Sequence, residues 1–315
     1  MMKIAVLTAP RHFELVDEPL PELGAADALV RVTNCGVCTS EVDVWAGRSS
    51  EVFPQFPGHE VSGVIERAAP GAAVCRPGDR VAVWVTERGF AEYVAVPAGH
   101  CFPAGNVPLS QALAEPLSCA LNAVQLADVA LGDDVLVIGA GFMGYLVQKL
   151  THLRGASSLI VADTRPDALT RAASFGATQV VDVGAESLSA AVSAATGGRG
   201  ADVTFEVTGA QEPLRVVGDV TRIGGTVVVV GYHQGGDRTI PLGTWNWKAL
   251  RLVNAHFRDA NRILWGMERA VRLLCSNRLK MDNLVTHEFP ISDIDEAFRL
   301  AEKKPDGFVK ATVRL

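Results

Sequence analysis

Hydrophobic positions recur in short β-type runs through roughly the first 120 residues, at Ala28 to Thr33, Val61 to Ile65, Arg80 to Val85 and Ala91 to Val96, with Pro-Gly and Gly-Asp turns between them. Such runs broken by turns predict short strands, and hence a mostly β domain. From Leu131 the pattern becomes strand, glycine turn and helix in alternation. Strands are expected near Asp134 to Ile138, Ser158 to Asp163, Gln179 to Asp182, Asp202 to Val207 and Thr226 to Gly231, with a sixth at Leu250 to His256. That alternation predicts a parallel sheet covered by helices on both faces. A helix from Asp293 to Lys303 and a strand near Phe308 to Leu315 have no place in that sheet and are expected to return to the first domain. The expected division is 1–120 completed by 257–315, and 121–256.

Composition narrows the classes. A chain of 315 residues with 48% apolar and 20% charged positions has enough apolar side chains for two cores. The net charge of -6 comes without any concentration of Lys and Arg, which excludes nucleic acid and membrane surfaces as expected partners. The opening Met1 to Leu7 run is too short for a signal peptide before Arg11 and His12 interrupt it, so a cytoplasmic protein is expected. Six scattered cysteines in so long a chain point to reduced thiols, some free to hold metal.

After the strand Val135 to Ile138 comes Gly139-Ala140-Gly141-Phe142-Met143-Gly144, opening an apolar helical segment. The three glycines suit a tight turn, a close approach to a pyrophosphate and close helix packing, while the helix start offers free N–H groups. The next strand ends in Asp163, at the spacing expected of the acid that binds the adenosine ribose hydroxyls. A carboxylate there repels a 2′-phosphate, so NAD is expected over NADP, although Arg165 stands close enough to meet that phosphate.

Two segments of the β domain carry further chemistry: Cys35-Gly36-Val37-Cys38-Thr39-Ser40-Glu41-Val42-Asp43 and Phe56-Pro57-Gly58-His59-Glu60. Thiol, imidazole and carboxylate are the donor mixture that tetrahedral zinc accepts. Taken singly they have ordinary readings, Cys35 and Cys38 as a redox pair or packed thiols and His59 as a structural histidine. Taken together they resemble the zinc-type medium-chain dehydrogenase/reductase family, whose members carry a GVCxSD-type loop and a PGHE motif. Gly63, Gly78-Asp79-Arg80-Val81 and the dinucleotide domain stand in that family's order, so the resemblance spans nearly the whole chain.

The resemblance implies an α/β protein with a GroES-like, mostly β catalytic domain and a doubly wound, six-stranded Rossmann domain. It implies Cys38 and His59 as zinc ligands, and Ala114-Glu115-Pro116-Leu117-Ser118 resembles the EPL motif of the sorbitol and threonine dehydrogenase branch, which makes Glu115 the third. Cys119 lies one helical turn beyond Glu115, and Glu60 is expected as a supporting or exchangeable ligand. Ser40 is expected to touch the substrate oxygen and relay its proton, assisted by Asp43, which occupies the place of a proton-passing histidine in many members. The four-cysteine lobe that binds a structural zinc is missing between Val85 and Gly89, so one zinc per chain is implied.

The expected activity is hydride transfer between a secondary alcohol, such as a polyol, cyclitol or sugar derivative, and NAD, by a homo-oligomer (dimer or tetramer). Two rival readings are a zinc-free NADPH-dependent quinone or enone reductase of the same fold and a non-enzymatic dinucleotide-binding protein. Both conflict with the retained Cys38, His59, Glu115 and Ser40. Trp45, Trp84, Trp245 and Trp247 suit a substrate cleft and core packing equally, and His256-Phe257-Arg258 lie where polyol-type members contact substrate.

Overall fold

The computed structural model describes all 315 residues, which divide into two compact units, 1–118 with 259–315 and 119–258. In the first unit the chain forms β1 (Met2–Ala9), β2 (His12–Glu18), β3 (Asp27–Gly36), α1 (Thr39–Trp45), β4 (Glu60–Ala68), β5 (Arg80–Trp84), β6 (Tyr93–Pro97), β7 (Cys101–Pro103) and the start of α2 (Ala114–Ala127). The second unit holds β8 (Asp134–Ile138), α3 (Phe142–Arg154), β9 (Ser158–Asp163), α4 (Pro166–Ser174), β10 (Gln179–Asp182), α5 (Leu188–Ala195), β11 (Ala201–Glu206), α6 (Gln211–Val220), β12 (Thr221–Val229), α7 (Leu242–Trp247) and β13 (Arg251–Asn254). The chain then adds α8 (Ala260–Cys275), β14 (His287–Pro290), α9 (Ile294–Lys303) and β15 (Ala311–Arg314) to the first unit.

Strand β3 organises the first unit by pairing antiparallel with β4, β6 and β15. The register puts Val313 opposite Cys35 and Glu60 opposite Gly36, so the C-terminal strand, the start of the first motif segment and the end of the second share one end of the sheet. Phe298 of α9 anchors the core, its ring 5.0 Å from Phe13, 5.6 Å from Phe90 and 6.0 Å from Trp45. Each such aromatic stabilises the fold by about 1.5–3 kcal/mol on burial. Trp45 and Trp245 are 1% and 4% exposed core residues, which removes both from the residues suited to lining a substrate cleft.

The second unit is the doubly wound sheet, in the order β10-β9-β8-β11-β12-β13 with every pair parallel. All five residues of β8 are buried, as a central strand covered on both faces requires. The strand order reverses between β8 and β11, which is where ligands bind such sheets.

Candidate active site

Cys38 caps α1, its carbonyl accepting the N–H groups of Glu41 and Val42 at 3.1 Å each. This turn places Ser40 Oγ 3.2 Å from Cys38 Sγ and directs Glu41 inward. Glu41 Oε1 accepts the Gly58 N–H at 2.6 Å and lies 2.7 Å from His59 Nδ1, so one carboxylate fixes both the backbone and the ring of the second segment. With Nδ1 engaged by Glu41, Nε2 is the ring nitrogen of His59 left for other partners. Burial opposes charge on both groups. It is outweighed at His59, whose pKa is held well above the usual value by the Glu41 charge and by Cys38. The same attraction, with the Gly58 and Cys38 amides, holds the Glu41 carboxyl below its usual range.

Ligand atoms of Cys38, His59 and Glu60 lie within 4.8 Å of one another. Glu60 is 1% exposed, and Lys310 Nζ sits 2.7 Å from its Oε1. Its Oε2 is buried without a hydrogen-bond partner. Gly36 leaves room for that oxygen, because a Cβ there would stand 2.0 Å from it. A buried carboxylate oxygen without a donor, beside a thiol and an imidazole, suits a borderline-soft cation such as zinc. Burial works against the Lys310 ammonium, but the charges of Glu60, Cys38 and Glu115 raise its pKa.

Of the two glutamates, Glu60 alone stands among the close donor atoms. Glu115 sits half-buried in the first turn of α2, outside the group of close donor atoms, though near enough for its charge to act on Lys310. Glu60, expected in support, stands inside the group. Asp43 is also displaced from its expected partnership with Ser40. Its Oδ1 accepts Arg48 Nε and Nη2 at 2.9 and 2.7 Å, because Arg48 follows the helix end and bridges on to Glu302 at 2.6 Å. Sequence reasoning missed Glu41 and Lys310. The signal for Glu41 was its place at the acidic position of the GVCxSD-type loop; for Lys310 it was a lone charge within the apolar run Phe308 to Val313.

In the second unit Gly139 to Gly141 link β8 to α3, whose first residue is Phe142. A Cβ on Gly144 would stand 1.9 Å from the Gly139 carbonyl, whereas one on Gly141 would meet nothing within 4 Å. The third glycine therefore serves packing and the second leaves the approach to the helix start open. Phe142 is buried and Met143 half-buried. Asp163 closes β9, its Oδ2 accepting the Ala140 N–H at 2.7 Å and its Oδ1 the Arg165 N–H at 2.9 Å. Arg165 reaches back to the Ala140 carbonyl at 3.3 Å, so loop, acid and arginine form one connected edge.

Comparison with known proteins agrees with both halves. Residues 24–106 match the alcohol dehydrogenase GroES-like domain and residues 143–271 the zinc-binding dehydrogenase domain. The chain is 32% identical to sorbitol dehydrogenase of Rattus norvegicus, over 95% of this chain and 92% of that protein. It is 26% identical to L-galactonate-5-dehydrogenase of Escherichia coli (strain K12), over 94% of each. Alcohol dehydrogenase TADH from Thermus sp. ATN1 superposes with a TM-score of 0.87 at 26% identity, over 99% of both chains. With relatives of this kind the chain is an oxidoreductase acting on CH–OH groups. Two matched domains, a shared fold and near full-length similarity place it in the zinc-type medium-chain dehydrogenase/reductase family, in the sorbitol dehydrogenase-like branch.

Proposed function

We propose that the protein is a zinc-dependent dehydrogenase that takes hydride from a secondary carbinol carbon of a polyol, cyclitol or sugar derivative and passes it to NAD. The observation that carries this reading is the group of half-buried Cys38 and His59 with buried Glu60, whose Oε2 has no hydrogen-bond partner. These three side chains would hold the metal, and Glu115 stands by as a nearby carboxylate that Lys310 balances. Zinc held there would supply Lewis acidity. Ser40, in contact with Cys38 Sγ at 3.2 Å, takes the proton leaving the substrate oxygen. Glu41 keeps His59 in one tautomer and orientation throughout. The engagement of Asp43 by Arg48 favours a proton path that runs from Ser40 without it.

For the substrate, the names of the sorbitol and L-galactonate-5-dehydrogenase relatives favour a polyhydroxylated chain. For the cofactor, Asp163 at the end of β9 favours NAD, with Gly141 admitting the pyrophosphate and Arg165 alongside. We also propose a homo-oligomer, dimer or tetramer, in the cytoplasm. No helix is long and apolar enough to cross a membrane, and none of the six cysteines forms a disulfide. The test is near-ultraviolet absorbance of reduced nicotinamide over a panel of polyols and their ketones, with NAD and NADP in parallel. Turnover of secondary alcohols with NAD supports the reading. Reduction of carbon–carbon double bonds with NADPH alone contradicts it.

A further inference from the structure

A side-chain network on the second unit has no part in the chemistry above. At the C-terminal ends of β11, β12 and β13 it ties three loops together. Glu206, the last residue of β11, is 0% exposed. Its Oε1 accepts the Thr208 N–H at 2.6 Å, the Thr208 hydroxyl at 2.5 Å and the Gly209 N–H at 3.1 Å. Its Oε2 lies 2.8 Å from His233 Nε2. Gly231 permits this approach, since a Cβ there would stand 2.7 Å from Glu206 Oε2 and 2.2 Å from the Gly209 nitrogen. From the third loop, the His256 ring lies 5.2 Å from the Tyr232 ring.

The carboxylate only accepts, so the hydrogen in the Glu206–His233 bond belongs to His233 Nε2. That leaves Nδ1, which is buried without a partner, as are Gln234 Oε1 and Arg238 Nε of the same loop. An unsatisfied buried polar atom costs about 1–3 kcal/mol, and such atoms mark places that a further group completes. The His233 side chain is 13% exposed, so the ring reaches the rim of the sheet.

The position of this rim identifies the group. The glycine loop follows β8 and Asp163 closes β9, both on one side of the reversal in strand order. A dinucleotide with its adenosine ribose at Asp163 and its pyrophosphate at Gly141 extends its second nucleotide over the ends of β11 to β13. We propose that His233, held in place by Glu206, hydrogen-bonds through Nδ1 to a hydroxyl of the nicotinamide-side ribose. This rests on the dinucleotide reading above and adds a residue to it. A hydroxyl both donates and accepts, so it satisfies Nδ1 with or without a proton. Glu206 is a positioning residue that acts through the ring.

The test is titration of the full chain with NADH, followed by nicotinamide fluorescence, and with ADP as a probe of the adenosine half, followed by calorimetry. His233→Leu is expected to weaken NADH about five- to tenfold, the scale of one hydrogen bond, and to leave ADP unchanged. His233→Gln restores part of the loss, because an amide can bond to both neighbours. NADH affinity within about twofold of wild type in His233→Leu overturns the inference at that scale. So does equal weakening of NADH and ADP, which assigns His233 to the integrity of the fold. Wild-type protein that binds neither NADH nor NADPH removes the dinucleotide reading and this inference with it. Wild-type binding with an indifferent His233 removes the inference alone.

Discussion

Lys310 Nζ stands 2.7 Å from Glu60 Oε1, a buried ion pair between residues 250 positions apart. The pair joins the last strand of the chain to the start of β4. It holds one oxygen of Glu60 and leaves the other buried without a hydrogen-bond partner.

Removing the ammonium alone leaves a buried charge uncompensated. Lys310→Met is therefore expected to destabilise the metal-free protein by about 3–5 kcal/mol in denaturant unfolding. The double substitution Lys310→Met with Glu60→Gln recovers most of that loss, because the unpaired charge is gone. A double variant no more stable than Lys310→Met contradicts this account of the pair.

Glu41 is read as the residue that orients His59, through the 2.7 Å contact at Nδ1. Glu41→Gln should weaken zinc binding about 10- to 100-fold, measured by competition with a chromogenic chelator. Unchanged affinity means that His59 is held in register by packing alone.

The surface network of Arg11, Arg48 and Glu302 gives a pH dependence. Hydrogen bonds from Arg11 and then Arg48 lower the Glu302 carboxyl from 4.5 to about 2. A depressed acid binds its proton more readily in the unfolded chain. Its contribution is therefore complete above the unfolded pKa of 4.5 and is lost as the pH falls through about 2. Glu302→Gln should lower stability at neutral pH and flatten the acid limb of the stability curve in that window. Parallel curves for wild type and variant rule out the linkage.

For the proton path, Ser40→Ala should depress turnover by about 10²-fold while leaving NAD affinity intact, and Asp43→Asn should change turnover little. Steady-state kinetics across pH separates the two. A larger loss in Asp43→Asn than in Ser40→Ala would move the relay away from the Cys38 side.

The fold was legible because its signals are local. The alternating strands and Gly139 to Gly144 each declare themselves within a few residues, and the sheet they predict is the sheet observed. Cys38 and His59 stand out for the same reason, as parts of short motifs, and the structure brings them together. The ranking of Glu60 and Glu115 was not. It depends on Lys310 and on the space above Gly36, and neither bears on Glu60 until β15 and β4 both pair with β3. The hold of Arg48 on Asp43 was not legible either, because spacing along a helix does not reveal which side chain competes for a carboxylate.

The central claim is the ligand set, and metal content of the purified chain, its Glu60→Gln variant and its Glu115→Gln variant tests it most directly. A single catalytic site predicts about one zinc per chain in wild type. The account predicts that Glu60→Gln loses most of that zinc while Glu115→Gln keeps it. Full zinc in Glu60→Gln with loss in Glu115→Gln would contradict the account and return the third position to Glu115.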